Sequence, residues 1–261
     1  MSATRSPQTS STTCASVSRR WDRLYVVIPA YNEQRTIFQV VQGVRRRLPE
    51  VRIIVVDDGS NDGSAAEAER SGAEVVQLPF NCGYGVALQT GLLHARRNGA
   101  EFVVTMDADG QHEPADIVKL LEPLRADTAD LTLGSRYLSD SCSYRVPQVR
   151  LYASRCLSHL VSFLMGQTIH DTTTGFQGIN TKTLNAYLSL RDFPERTPDA
   201  DLLLYAHLNG CRVQEIAVTM YEDTTGDSMH GFFKSFFYIP QMLVSILGVL
   251  LAYRSFRRRS I

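Results

Sequence analysis

Between Leu24 and Met106 the chain repeats one pattern: a short apolar run, a polar turn, then a segment with helical spacing. Leu24-Tyr-Val-Val-Ile28 is an apolar run closed by Pro29, and Arg52-Ile-Ile-Val-Val56, residues 74–78 and residues 101–106 are the next three. After the first run, Ile37, Val40, Val41, Val44 and Leu48 recur at the spacing of one helix face in and just beyond residues 33–47. Further helices are expected at about 62–71 and about 84–97. Short buried strands alternating with helices predict an α/β fold, a largely parallel sheet covered on both faces. Such a sheet binds ligands at the carboxyl ends of its strands.

The unusual residues stand at those ends. Pro29-Ala-Tyr-Asn-Glu33 follows the first strand, Asp57-Asp58-Gly-Ser60 the second, and Asp107-Ala108-Asp109-Gly-Gln111 the fourth. In an extended segment residues i and i+2 project to the same side. Asp109 and Gln111 therefore offer two hard oxygens to one cation, while Asp107 holds a neighbouring group. Oxygen ligands of this kind select Mg²⁺ or Mn²⁺ over zinc. A divalent ion held by carboxylates at a strand end neutralises phosphate, which points to chemistry on a nucleotide. In the Asp57-Asp58 pair one residue serves the turn. The other, ending a buried strand, needs a partner, and a nucleobase N–H or a ribose hydroxyl would supply it.

Beyond the fourth strand, a helix over 115–124 and a strand over 131–133 precede a fading of the alternation. An amphipathic helix is expected over about 148–165, a polar loop over Thr172–Gly178, a helix over 199–208 and a strand over 212–218. Arg136 follows the fifth strand on the same rim and is suited to clamping an oxyanion. Asp171 and Asp201 lie in the second half; each would either face an acceptor or cap a helix. Asn81-Cys-Gly83-Tyr-Gly85 is not a dinucleotide fingerprint, because that motif belongs after the first strand. Its glycines permit a tight turn into a helix whose N-terminus would face donor phosphates.

Composition removes other classes. The formal net charge is zero over 261 residues, so nothing global recruits nucleic acid. Five cysteines without a Cys-x-x-Cys pair argue against a disulfide framework or a zinc site and for a reducing compartment. The six histidines form no His-x-x-x-His pair, and no Gly-x-Ser-x-Gly elbow is present.

Taken together, Val27-Ile-Pro-Ala-Tyr-Asn-Glu33, Val55-Val-Asp-Asp-Gly-Ser60, Asn81-x-Gly-Tyr-Gly85, Met106-Asp-Ala-Asp-Gly-Gln-His-Glu-Pro114, Gly134-Ser-Arg-Tyr137 and Asp171-x-x-x-Gly-Phe176 resemble the family-two glycosyltransferases of the GT-A fold. The nearest branch is that of dolichyl-phosphate mannose synthase and the bacterial polyprenyl-phosphate glycosyltransferases. The resemblance implies that Pro29, Tyr31, Glu33, Val56 and Asp58 hold the nucleoside, and that Asp107 and Ala108 contact the donor. It further implies Asp109 and Gln111 at the metal and Arg136 at the diphosphate or acceptor. The expected reaction is inverting transfer from a nucleotide sugar to a polyprenyl-phosphate-type lipid. A phosphate acceptor already arrives ionised (second pKa of about 6), whereas a sugar hydroxyl needs a base, for which Asp201 and then Asp171 are the candidates. One departure stands out: the branch carries Arg-x-x-Gly-x-Ser-Lys in its late loop, where this chain reads Asp223-Thr-Thr-Gly226-Asp-Ser228-Met229. The alternatives are therefore transfer to a hydroxyl of a soluble or polysaccharide acceptor, and a non-catalytic nucleotide-sugar-binding subunit.

Ser235 to Tyr253 is uncharged and would span roughly 29 Å as a helix. A span would carry the four arginines at 254 and 257–259 away from the cytoplasmic face, against the positive-inside rule. Gln241, Ser245, Gly248 and Ala252 also form a small or polar stripe. A helix lying in the membrane interface or on a small integral membrane partner is expected, with the enzyme peripheral on the cytoplasmic face. The expected organisation is a disordered extension over 1–20, a GT-A domain over 21–230 and this helix with its basic tail over 231–261.

Overall fold

The computed structural model describes residues 23–138, 148–190, 193–195, 198–221 and 242–251. Seven strands form one sheet: β1 (Leu24–Ala30), β2 (Arg52–Asp57), β3 (Glu74–Gln77), β4 (Phe102–Thr105), β5 (Leu131–Ser135), β6 (Gln177–Asn180) and β7 (Val213–Ala217), in the order β3-β2-β1-β4-β6-β5-β7. β1 pairs in parallel with β2 and β4, and β2 with β3, so their carboxyl ends share one rim. β6 runs antiparallel between β4 and β5, which leaves β5 parallel to β4 and brings Arg136 to the same rim.

The helices are α1 (Ile37–Arg47), α2 (Ser64–Arg70), α3 (Tyr84–Arg97), α4 (Ile117–Arg125), α5 (Gln148–Met165), α6 (Thr181–Ser189) and α7 (Ala200–Leu208), and residues 242–251 form a further helix, α8. Strand alternation sorts the core into two layers. Leu24, Val26, Ile28, Ile53 and Val55 pack under α1, α2 and α4, whereas Tyr25, Val27, Ile54, Val56 and Val103 pack under α3 and α5–α8. In α1 the buried side chains are Ile37, Val40, Val41 and Val44, the expected face, and Arg45–Arg47 close its last turn, where cations complement the helix dipole.

One expectation needs correction. The polar stretch at 172–178 ends in β6, and α6 follows it. Gln-Gly-Ile-Asn has no strand periodicity; the segment is a strand because β4 and β5 both offer it a ladder. α8 lies beyond the boundary expected at 231. Met242, Ile246 and Val249 are buried in the same cluster as α5–α7, so residues 242–251 complete the core. The remainder of 231–261, the extension at 1–20 and the late loop at 223–229 lie outside the described residues.

Candidate functional site

The first two rim loops are laced together. The Asn32 amide donates to Ser60 Oγ (2.9 Å), the Asn61 amide to Asn32 Oδ1 (3.0 Å), the Glu33 amide to Ser64 Oγ (2.7 Å) and the Gly63 amide to Gln34 Oε1 (3.1 Å). Asn32 takes φ of +58°, a left-handed conformation that Asn tolerates. The Glu33 carboxylate accepts from Thr36 Oγ1 at 2.8 Å. Tyr31 is half-buried at the rim, while Pro29 and Val56 lie inside β1 and β2. The Val56 side chain belongs to the core, so its backbone is what it would offer to a nucleoside.

Asp58 meets its need for partners within the protein. Its carboxylate accepts from the amides of Cys82 (2.7 Å) and Gly83 (2.9 Å), tying the glycine loop down. Its burial is thereby met without a ligand. The orphaned oxygen of the pair is Asp57 Oδ1, which is buried and has no hydrogen-bond partner. The α3 N-terminus is occupied as well: the Gly85 amide donates to the Glu195 carbonyl at 2.7 Å. A Cβ on Gly85 would stand 1.7 Å from the Pro194 carbonyl oxygen, so only glycine admits residues 194–195 there. That helix end does not face donor phosphates as expected.

At the end of β4, Asp107 is held from both sides. Tyr84 Oη donates to its Oδ1 (2.9 Å) and His112 Nε2 to its Oδ2 (3.0 Å). Burial would raise the Asp107 pKa; the hydrogen bonds from His112 and Tyr84 and the charge of Arg136 outweigh it and hold the carboxyl below its usual range. The Tyr84 phenol is pushed well up, first by burial and then by Asp107 and Asp199. Tyr84 and His112 both stand inside motifs quoted from the sequence, but nothing in the sequence says that they meet on Asp107.

Two residues on, Asp109 Oδ1 accepts from the Gln111 amide at 2.9 Å, closing a turn around Gly110. Asp109 and Gln111 are both half-buried, and Ala108 lies beneath them in the core. The turn is clasped to the segment after β7: the Tyr221 amide donates to the Gln111 carbonyl (2.8 Å) and Tyr221 Oη to Glu113 Oε2 (2.7 Å). Among the described residues no cluster of three His, Cys, Asp or Glu side chains forms a metal cage. Carboxylate and carboxamide oxygens on one turn fit a hard dication that keeps water and substrate phosphate in its shell.

The two candidate bases are engaged elsewhere. Asp171 is fully buried and binds Arg136 with both oxygens, Nε to Oδ2 at 2.6 Å and a terminal nitrogen to Oδ1 at 3.2 Å. Glu215 on β7 fixes that loop, accepting from the amides of Asp171 (2.8 Å) and His170 (2.9 Å). Asp201 is fully buried, accepting from the Leu202 amide at 2.8 Å and from Ser245 Oγ of α8. Both are buried and paired within the protein, and the guanidinium of Arg136, expected to clamp an oxyanion, is ion-paired with Asp171. The carboxylate near the rim on this side is Asp199, half-buried and close enough to perturb Tyr84.

A mostly parallel sheet with a carboxylate turn at the end of its fourth strand defines a nucleotide-sugar-dependent glycosyltransferase of the GT-A fold. The chain belongs to glycosyl transferase family 2, which matches residues 25–188. It is 35% identical over 217 residues to polyprenol monophosphomannose synthase of Mycolicibacterium smegmatis, covering 80% of this chain and 82% of that protein. It is 30% identical over 212 residues to undecaprenyl-phosphate mannosyltransferase of Micrococcus luteus, covering 79% and 86%. In fold it is similar to glucosyl-3-phosphoglycerate synthase from Mycobacterium tuberculosis in complex with Mn²⁺ and UDP-glucose, with a TM-score of 0.67, 20% identity and coverage of 93% of this chain and 84% of that one.

Proposed function

We propose that this protein transfers a sugar, with inversion, from a nucleoside diphosphate sugar to a polyprenyl-phosphate-type lipid at a membrane surface. The carrying observation is the turn in which Asp109 and Gln111 stand beside the anchored Asp107 at the rim. Asp109 and Gln111 would hold Mg²⁺ or Mn²⁺, which supplies Lewis-acid stabilisation of the diphosphate oxygens when bound. Asp107 and the Ala108 backbone orient the donor, and the laced loops at Tyr31–Glu33 and Asp58–Ser60 wall the nucleoside. The barrier lies in charge developing on the leaving diphosphate and on the sugar.

The burial of both Asp171 and Asp201 favours an acceptor that needs no base. A lipid phosphate is such an acceptor, and the relatives aligned over 79–80% of this chain are a polyprenol monophosphomannose synthase and an undecaprenyl-phosphate mannosyltransferase. Membrane contact would be made through α8. Its outer face exposes Leu243, Val244, Leu247 and Leu251, and the basic residues at 254 and 257–259 follow directly. Among the described residues no helix is long and apolar enough to cross a membrane. Surface binding is therefore the proposed mode.

A second reading, transfer to a hydroxyl acceptor, is favoured by Asp223 and Met229 standing where phosphate-binding cations are expected. In that case Asp199 is the carboxylate placed to act as base. The deciding experiment incubates the protein and membranes with Mn²⁺ and labelled UDP-glucose, GDP-mannose and related donors, then partitions the products. Label in the organic phase supports the lipid acceptor, and label only in the aqueous phase refutes it. Neither transfer nor metal-dependent donor hydrolysis would support a non-catalytic subunit.

A further inference from the structure

Tyr84 and Gly175, both distant in sequence, and His112, which directly follows the proposed metal turn, converge on the Asp107 side chain. Tyr84 opens α3, His112 belongs to the loop after β4, and Gly175 precedes β6. Tyr84 and His112 bond one carboxylate oxygen each, at 2.9 and 3.0 Å. Gly175 lies under the group: a Cβ there would stand 2.7 and 2.8 Å from the two oxygens. The His112 side chain is 1% exposed and its ring stacks on Phe176 with centroids 4.7 Å apart, while Nδ1 is buried without a partner. The ring therefore spends its only hydrogen bond on Asp107, at the cost of an orphaned nitrogen. Asp107 itself remains 31% exposed. A buried imidazole and a partly buried phenol thus aim at a carboxylate that stays open to a ligand, an arrangement that sets orientation rather than filling a core.

We propose that Tyr84 and His112 are positioning residues of the transfer reaction, fixing the Asp107 rotamer against Gly175 before a donor binds. The inference rests on the reading that Asp107 contacts the donor. Preorganised groups need no rearrangement as charge develops, and a misplacement of about 1 Å can cost about 100-fold in rate.

The test uses Tyr84→Phe, which removes one hydroxyl, and His112→Phe, which keeps an aromatic ring beside Phe176 and removes the Nε2 donor together with the unpartnered Nδ1. Each is assayed with Mn²⁺ and UDP-glucose or GDP-mannose, whichever the wild type turns over. Each is also crystallised without metal or donor. The expected result is a fall in kcat of about 10- to 100-fold with donor KM changed less than about threefold. The double variant should be no slower than the worse single one, since both act through one carboxylate. The ligand-free crystals should show Asp107 rotated away from Gly175, and His112→Gln, which restores a donor, should recover part of kcat. An unmoved Asp107, kcat within about twofold of wild type, or losses that multiply in the double variant would each overturn the proposal. A wild type inactive on every donor would defeat the functional reading instead, while the crystals would still report whether the two residues orient Asp107.

Discussion

The Arg136 guanidinium and the Asp171 carboxylate meet at 2.6 Å inside the protein, with one side chain 10% exposed and the other not at all. This pairing gives both residues a role in holding the rim between β5 and the loop before β6. Removing one partner of a buried pair leaves an uncompensated charge, at a cost of about 3–5 kcal/mol. Asp171→Ala should therefore lower the melting temperature sharply, and Arg136→Met combined with Asp171→Leu should regain most of it. Thermal denaturation of the two variants beside wild type decides; a stable but inactive Asp171→Ala would restore the base assignment.

Asp109→Ala removes one of the two side chains proposed to grip the dication. Metal-dependent transfer should fall at least about 100-fold, because stabilisation of the leaving group is among the largest contributions to the rate. The circular dichroism spectrum should stay unchanged. Near-normal activity in saturating Mn²⁺ would remove Asp109 from the metal site.

Gly175→Ala puts a methyl group 2.7 Å from Asp107 Oδ1, where no Cβ fits without movement. The carboxylate must turn or the loop must shift, and kcat should drop by about 10-fold or more. A crystal structure of the variant with Asp107 in its original place and full activity would contradict this.

Asp201 makes a pH-dependent case. Burial pushes its carboxyl above the ordinary range, with hydrogen bonds from Ser245 and the Leu202 amide offsetting only part. A carboxyl raised on folding contributes its full stability below the unfolded pKa of about 3.9 and loses it as pH rises through the folded value. Asp201→Asn should therefore be more stable than wild type at pH 7, by about 2–4 °C per kcal/mol in a chain of this size. The advantage should shrink towards pH 4. Melting curves across that range are the measurement, and a variant that is less stable at pH 7 refutes the assignment.

The outer face of α8 can be tested without disturbing the inner one. Val244 is 70% and Leu247 56% exposed, whereas Met242 and Ile246 are buried. Val244→Asp with Leu247→Glu should abolish sedimentation with anionic vesicles and leave the melting temperature within about 2 °C, as surface changes do. Deleting residues 235–261 is a poorer probe, since it would also strip Met242, Ile246 and Val249 from the core.

What the residues dictate locally, they dictated well. Apolar runs and helical spacing placed α3 at Tyr84–Arg97 and α5 at Gln148–Met165 within the expected bounds. Parallel pairing then forces the turns at Tyr31, Asp58 and Asp109 onto one edge, since every parallel strand ends on the same side. Long-range partners decided the rest. Asp58 finds the Cys82 and Gly83 amides 24 and 25 residues away, Arg136 finds Asp171 at 35, Asp201 finds Ser245 at 44, and Thr105 accepts from and donates to the β6 segment 70–72 residues on. A buried carboxylate must be paired, but nothing in its neighbours along the chain says with what. That choice belongs to the packing of the sheet, which set Asp171 against Arg136 and Asp201 against Ser245 and put Tyr84 and His112 on Asp107.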